Sequence, residues 1–200
     1  MPDLVTPPAL LLLWALAGFL LGSVPFGVLV TRAMGLGDVR AIGSGNIGAT
    51  NVLRTGSKGA AALTLLLDGG KGALAVLLAR ALAAEDAAQV AGFAALLGHC
   101  YPPWLGFRGG KAVATALGLL LSLAWPVGLL ACATWALVAA LLRVSSLAAL
   151  AATGLAPLWA LLVGEGRALL LCLLVALLVL WRHRANVARL RAGTEPRIGR

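Results

Sequence analysis

Long apolar runs, several reaching the roughly 20 residues that cross a bilayer as helix, alternate with short polar segments along this 200-residue chain. No other feature limits the fold so tightly, because backbone polar groups in hydrocarbon have no water to satisfy them. The runs fall at about 8–30, 60–83 and 87–99, then a fourth ending near Ser122, a fifth ending near Leu142, a sixth ending near Val163 and a seventh over 168–181. The third is short for a full crossing, so its far end is expected inside the protein. With 61% hydrophobic and 12% charged residues, the chain carries about half the charge of a soluble domain. The expectation is an all-α integral membrane protein of about seven transmembrane helices, one domain over 1–200. Met1–Pro8 lacks the basic start of a signal peptide, so the first span is expected to stay uncleaved.

Charge orders these spans. Basic residues gather on the cytoplasmic side of membrane proteins. An outside N-terminus places Arg40, Arg54, Lys58, Arg108, Lys111, Arg143 and the tail arginines together inside. The other side then receives Asp3, Glu85, Asp86 and Glu165, with Arg80 and Arg167 as its basic residues. The N-terminus is therefore expected outside and the C-terminus in the cytoplasm. The net charge of +9 is accounted for by topology, so no nucleic-acid partner is expected. Cys100, Cys132 and Cys172 are scattered through apolar sequence without metal or disulfide spacing and read as small hydrophobes. This topology gathers the polar stretches 43–54, 98–112, 143–146 and 182–196 on one cytoplasmic face, where they can build a single site.

The first of these, Gly43–Arg54, reads GSGNIGATNVLR and contains no acid. Glycines allow close backbone approach, and the amides, hydroxyls and guanidinium donate hydrogen bonds, an inventory suited to a phosphate. Its G-x-G-x-x-G spacing is a decoy, since no strand precedes it and Asp68, the acid at dinucleotide distance, lies within a membrane span. No GxxxxGK[ST] occurs either. The second stretch, with His99, Arg108, Gly109, Gly110 and Lys111, leads into a helix N-terminus that offers free N–H groups to an anion. In the third, Arg182-His183-Arg184-Ala185-Asn186 continues the last span, with His183 and Asn186 on one face. Two features stay open. Asp68 and Lys71, interrupting the second span with three glycines, are either scaffold or site. Gly22–Gly27 is either a kink and close helix contact or, through Ser23, part of a site.

GSGNIGATNVLR, LDGGKG, GHCYPPWLGFRGGKAVATALG, RVSSLAAL and WRHRANVARLRAGTEPRIG, in that order, resemble the bacterial acyl-phosphate:glycerol-3-phosphate acyltransferase family (PlsY-type) from about Gly22 onward. The resemblance implies seven membrane helices with cytoplasmic motifs at the inner membrane. It also implies acyl transfer from acyl phosphate to the sn-1 hydroxyl of glycerol 3-phosphate, giving lysophosphatidic acid and inorganic phosphate in bacterial phospholipid synthesis. It implies catalytic roles for Ser44, Arg54, His183 and Asn186, and a structural role for Glu195. Substrate contacts are expected from Gly43, Gly45, Asn46, Asn51, Gly109, Gly110, Lys111 and Ser146. The family's GGKG reads Gly109-Gly110-Lys111-Ala112 here, a departure that bears on phosphate binding.

An acyl phosphate is already an activated donor, so no cofactor and no metal are expected, and a monomer in the bilayer suffices. Catalysis then needs the phosphates held in line and charge stabilisation at the acyl oxygen. No HxxxxD pair is present; the base is His183 or a substrate phosphate oxygen. A phosphate-ester transporter and a purely structural membrane subunit are the alternatives, the former weakened by the lack of an internal repeat.

Overall fold

The computed structural model describes residues 2–199, and its regular structure among those residues is entirely helical. The first expected span is split into α1 (Pro8–Ser23) and α2 (Phe26–Ala33). Pro25 lacks an N–H and disfavours helical backbone before it, so Val24 turns extended with ψ 116°. The glycines ahead of this break serve close contact. A Cβ on Gly18 would lie 2.2 Å from the Ala91 carbonyl oxygen, and one on Gly22 would lie 2.0 Å from that of Ala95. Equal spacing on the two helices means that they run parallel. Ser23 belongs to this scaffold: its hydroxyl donates to the Leu20 carbonyl and accepts from the Trp104 indole, both at 2.7 Å.

After a short helix, α3 (Ala49–Val52), come α4 (Lys58–Leu82), α5 (Glu85–Cys100), α6 (Val113–Leu123), α7 (Trp125–Leu142), α8 (Ser145–Leu162), α9 (Leu169–Arg182) and α10 (Arg184–Arg191). The expected interruption of the second span is absent, since α4 runs unbroken through Asp68–Gly72. Gly69 and Gly72 face α6 instead, whereas Gly70 is exposed. A Cβ on Gly72 would sit 2.2 Å from the Thr115 carbonyl oxygen, and one on Gly118 would sit 2.0 Å from that of Gly69. Small residues let membrane helices approach backbone to backbone where lipid gives no hydrophobic drive.

Four stretches are long and apolar enough to cross a bilayer: Pro8–Ala33, Lys58–Leu82, Trp125–Leu142 and Ser145–Leu162. The pair Gly166–Arg182 and Arg184–Arg191, bent by 65°, makes a fifth if it is one span. Helices α5 and α6, of 16 and 11 residues, rise only about 24 and 17 Å. Both are packed inside the bundle rather than against lipid: Ala87, Ala88, Ala91, Ala95 and Leu96 on α5 are fully buried, as are Ala116, Leu119 and Leu120 on α6. The helical rods alternate in direction, so all four polar segments meet at one end. Residues 34–57 are not a loose loop there. Val39, Ile47 and Val52 are buried against Val28, Val30 and Ala60 in a small second core.

At the opposite end, buried Asp86 ties down the N-terminal segment. Its carboxylate accepts from the backbone N–H groups of Val5 and Thr6 and from the Thr6 hydroxyl, at 2.7–2.9 Å, and from the N–H of Ala87. Charge-assisted bonds of this kind are individually worth about 1.5–3 kcal/mol, not additively. Asp86→Ala is expected to lower stability by about 2 kcal/mol and leave the turnover of folded molecules unchanged. Thermal unfolding in detergent, with activity per folded molecule, checks both.

Candidate active site

Asn51 is the hub of the first motif. Buried beneath the loop, its amide nitrogen donates to the carbonyls of Val39, Ile42 and Asn46 at 2.8, 3.1 and 2.8 Å. Its side-chain oxygen accepts from the Ser44 N–H at 3.1 Å, the Ser44 hydroxyl at 3.3 Å and Arg54 Nη1 at 3.0 Å. One side chain therefore shapes the loop and aims both Ser44 and Arg54. Gly43, at φ +52°, makes room for this. A Cβ there would meet the Arg54 side chain and Asn51 Oδ1 at 2.6 Å. Asn46 closes the next turn by accepting from the Gly48 N–H at 3.0 Å. Gly45 faces a shallow second hollow with Arg40 and Arg108, away from the main cavity.

The second motif is arranged differently from the expectation. The N–H groups of Gly109 and Gly110 are not free, because they donate to the carbonyls of Cys100 and His99 at 3.1 and 3.0 Å. Their own carbonyls accept from Arg182 at 3.0 Å each. The free amides lie further on, at the start of α6, where Ala112, Val113 and Ala114 line the cavity. Ala112 stands at φ +59°, a left-handed conformation that explains why the family's glycine suits this position.

Lys111 and the C-terminal segment close the site. The last span does not continue straight: α9 ends at Arg182 and the chain bends by 65° into α10. His183 sits at this bend, buried, with Nδ1 2.8 Å from the Val179 carbonyl, and does not line the cavity. Burial, with the nearby Lys111 charge, lowers its pKa to about 4, so the ring is neutral at pH 7. Asn186 does reach the cavity, accepting from Lys111 Nζ at 2.5 Å and donating to Glu195 Oε1 at 2.5 Å. Gly193, at φ +71°, turns the tail back so that Glu195 returns to the site. There the carboxylate also accepts from Ser146 at 2.7 Å and from Arg189 at 2.7 Å. Burial raises the Glu195 pKa, but the bonds from Asn186, Ser146 and Arg189 outweigh it and hold the group ionised. Burial lowers Lys111 to about 8, with Arg189, Arg182 and Arg54 adding to the effect against Glu195.

Together these residues bound a cavity of about 350 Å³ with two unlike halves. One is polar and cationic, with Ser44, Arg54, Lys111, Asn186 and Arg189. The other is an apolar slot between α4, α6, α7 and α8, formed by Leu65, Leu117, Cys132, Trp135 and Ala149. The site unites Ser44, Asn46, Asn51, Arg54, Lys111, Ser146, Asn186 and Glu195, whereas Gly43, Gly109, Gly110 and His183 support it from behind. Arg182, Arg189 and Ser145 were not anticipated. Arg189 lies three residues beyond Asn186 on α10, a spacing that would have placed it on the same face. Ser145 meets Thr50 hydroxyl to hydroxyl at 3.1 Å across the mouth.

A helical membrane scaffold that joins a cationic pocket to an apolar slot among its helices points to a class: integral membrane proteins suited to amphipathic anions. The comparisons narrow it. The family model described as glycerol-3-phosphate acyltransferase matches residues 12–193. The glycerol-3-phosphate acyltransferases of Ruegeria sp. (strain TM1040) and Ruegeria pomeroyi are 68% and 63% identical over 199 residues, covering 100% of this chain and 98% of each relative. Crystal structures of PlsY (YgiH), an integral membrane glycerol 3-phosphate acyltransferase, superpose on the fold. The glycerol 3-phosphate form gives a TM-score of 0.88 at 37% identity, covering 94% of this chain and 96% of that one. The lysophosphatidic acid form gives 0.87 at 36%, covering 94% and 95%. This chain belongs to the glycerol-3-phosphate acyltransferase family, the PlsY type: it is a multi-pass membrane acyltransferase of phospholipid biosynthesis.

Proposed function

We propose that the protein transfers a fatty acyl group from acyl phosphate to the sn-1 hydroxyl of glycerol 3-phosphate, releasing lysophosphatidic acid and inorganic phosphate. The observation that carries this reading is the single cavity with Arg54 and Lys111 at one end and an apolar slot at the other. An acyl phosphate needs both: cations for its phosphate and hydrocarbon for its chain. The glycerol 3-phosphate and lysophosphatidic acid forms of the PlsY neighbour show a substrate and a product of this chemistry in that protein.

In the proposed step the glycerol hydroxyl oxygen attacks the acyl carbon, the new C–O ester bond forms and the acyl–phosphate C–O bond breaks. Arg54 and Lys111 hold the two phosphates, with Ser44 donating to one of them. The free amides at the start of α6 face the charge that develops during transfer. Asn186 and Ser146, fixed by Glu195, position Lys111 and the acceptor. The proton of the attacking hydroxyl passes to an oxygen of the departing phosphate. His183, buried and turned to the Val179 carbonyl, keeps the α9–α10 bend in shape.

The scheme calls for no cofactor, and it is placed in a monomer at the inner membrane. Seven crossings, with the N-terminus outside and the site on the cytoplasmic face, agree with the basic residues gathered at the site end. Incubating the purified protein with acyl phosphate and glycerol 3-phosphate tests the reading. Release of phosphate with matching lysophosphatidic acid is expected, and their absence would refute it.

Lys111 adds a pH signature. Its ammonium form, needed for phosphate, is lost above pH about 8 instead of the ordinary 10.5. In the free enzyme kcat/KM is expected to fall roughly tenfold per pH unit above that point. Stability moves the other way. A lysine with a lowered folded pKa binds fewer protons folded than unfolded between pH 8 and 10.5, so its contribution to stability rises across that window. Lys111→Arg, whose charge persists, is expected to move the basic limb out of range. A pH–rate profile of the two proteins checks this.

A further inference from the structure

Asp68 and His99 line the same cavity as Lys111, and with Lys71 they form a buried cluster whose geometry leads to the Lys111 loop. Lys71 Nζ is 2.8 Å from Asp68 Oδ1, and both side chains are almost fully buried. The same ammonium donates at 2.8 Å to the carbonyl of Val24, at the break between α1 and α2. His99, near the end of α5, faces Asp68 Oδ1 with Nδ1 at 3.5 Å. This contact is longer than a hydrogen bond, so the carboxylate acts through its charge, favouring the ring orientation and tautomer that turn Nδ1–H toward it. The far edge of that ring is set against Gly110. A Cβ built on Gly110 would lie 2.0 Å from His99 Nε2 and 2.8 Å from Cδ2. The backbone of His99 also accepts from the Gly110 N–H, and Arg182 grips the Gly109 and Gly110 carbonyls.

We propose that His99, oriented by the Asp68–Lys71 ion pair, is a positioning residue that sets the backbone of Gly109–Lys111 and so the place of the Lys111 ammonium. The ion pair anchors the ring to α4 and to the α1–α2 break. The ring supports the loop from beneath, and Arg182 holds its carbonyls. An imidazole suits the place because it is flat enough to lie against a glycine and polar enough to be steered by a buried carboxylate. This role rests on the reading that Lys111 holds a substrate phosphate. It makes the LDGGKG motif part of the site's support rather than a transport path.

A double-substitution cycle separates this role from plain structural packing. Gly110→Ala places a methyl where the ring stands and is expected to lower kcat/KM at least tenfold, chiefly through KM for a phosphate substrate. His99→Ala removes the support and is expected to have a similar effect. In the double variant the methyl occupies the space the ring vacated, so kcat/KM is expected to exceed that of Gly110→Ala at least threefold. A double variant no better than Gly110→Ala overturns the proposal. Should either single variant fail to fold, Asp68→Asn with Lys71→Met removes the orienting charges at nearly constant shape. KM for a phosphate substrate is then expected to rise at least fivefold with kcat within twofold, and an unchanged KM overturns the proposal. A wild-type protein that makes no lysophosphatidic acid would instead remove the functional reading beneath it.

Discussion

Arg54→Ala is expected to lower kcat/KM for acyl transfer by about 10²–10³-fold, the loss that follows removal of one preorganised charge stabiliser. That corresponds to about 3–4 kcal/mol of transition-state stabilisation. The fold gives little reason for any other outcome. Arg54 is exposed toward the cavity, and among the described residues its one side-chain hydrogen bond goes to Asn51 Oδ1. Asn51 keeps its bonds to Val39, Ile42, Asn46 and Ser44 when that donor is gone. The loop should therefore hold its shape, and the unfolding midpoint should move little. Lys at this position keeps the charge but loses the planar fork that matches two phosphate oxygens, so Arg54→Lys is expected to recover only part of the activity. Phosphate release measured against both substrates checks the series. An alanine variant with more than a tenth of the wild-type kcat/KM would remove Arg54 from the phosphate-binding role.

The lipid-facing side of this fold was legible because hydrocarbon imposes a simple rule on sequence. Runs of leucine between polar segments marked the rods, and the basic residues marked the end where the motifs gather. The break at Val24–Pro25 and the tight glycine contacts of the first span were likewise open to reading from local chemistry. What stayed hidden was mostly long-range. Nothing near Asn51 in sequence says that its amide holds Val39, or that its oxygen steers Arg54 toward a cavity. Gly109-Gly110 invited the reading of an anion cradle, yet their N–H groups bond the end of α5. The glycines are required there because His99 and its carbonyl lie against them. Asp68–Lys71 was recognisable as a costly intramembrane pair, but not as the support of a histidine 28 positions further on from Lys71. His183 was read as continuing a straight helix with Asn186. The bend between α9 and α10 instead buries it behind the wall that Asn186 faces.

Glu195→Ala is expected to lower kcat/KM by at least 10²-fold and to destabilise the fold by about 2–4 kcal/mol, although Glu195 is an acid in a site for anions. Its carboxylate is the one acceptor shared by Ser146, Asn186 and Arg189, which come from α8 and α10. Asn186 in turn accepts from Lys111. Removing the carboxylate leaves the Asn186 amide without its acceptor, releases Lys111 from its fixed direction and leaves a guanidinium unpaired beside another cation. The tail remains near the site through Ile198, whose N–H donates to the Arg143 carbonyl at 2.6 Å, so the loss falls on alignment. Glu195→Gln separates shape from charge. Its amide oxygen can still accept from Ser146 and Asn186, but its NH₂ opposes Arg189, so a loss of roughly tenfold is expected, in line with one charge-assisted bond. Steady-state kinetics with thermal unfolding of both variants in detergent checks the order Gln milder than Ala. Wild-type kcat/KM in the alanine variant would show that Lys111 and Asn186 hold their places without this carboxylate.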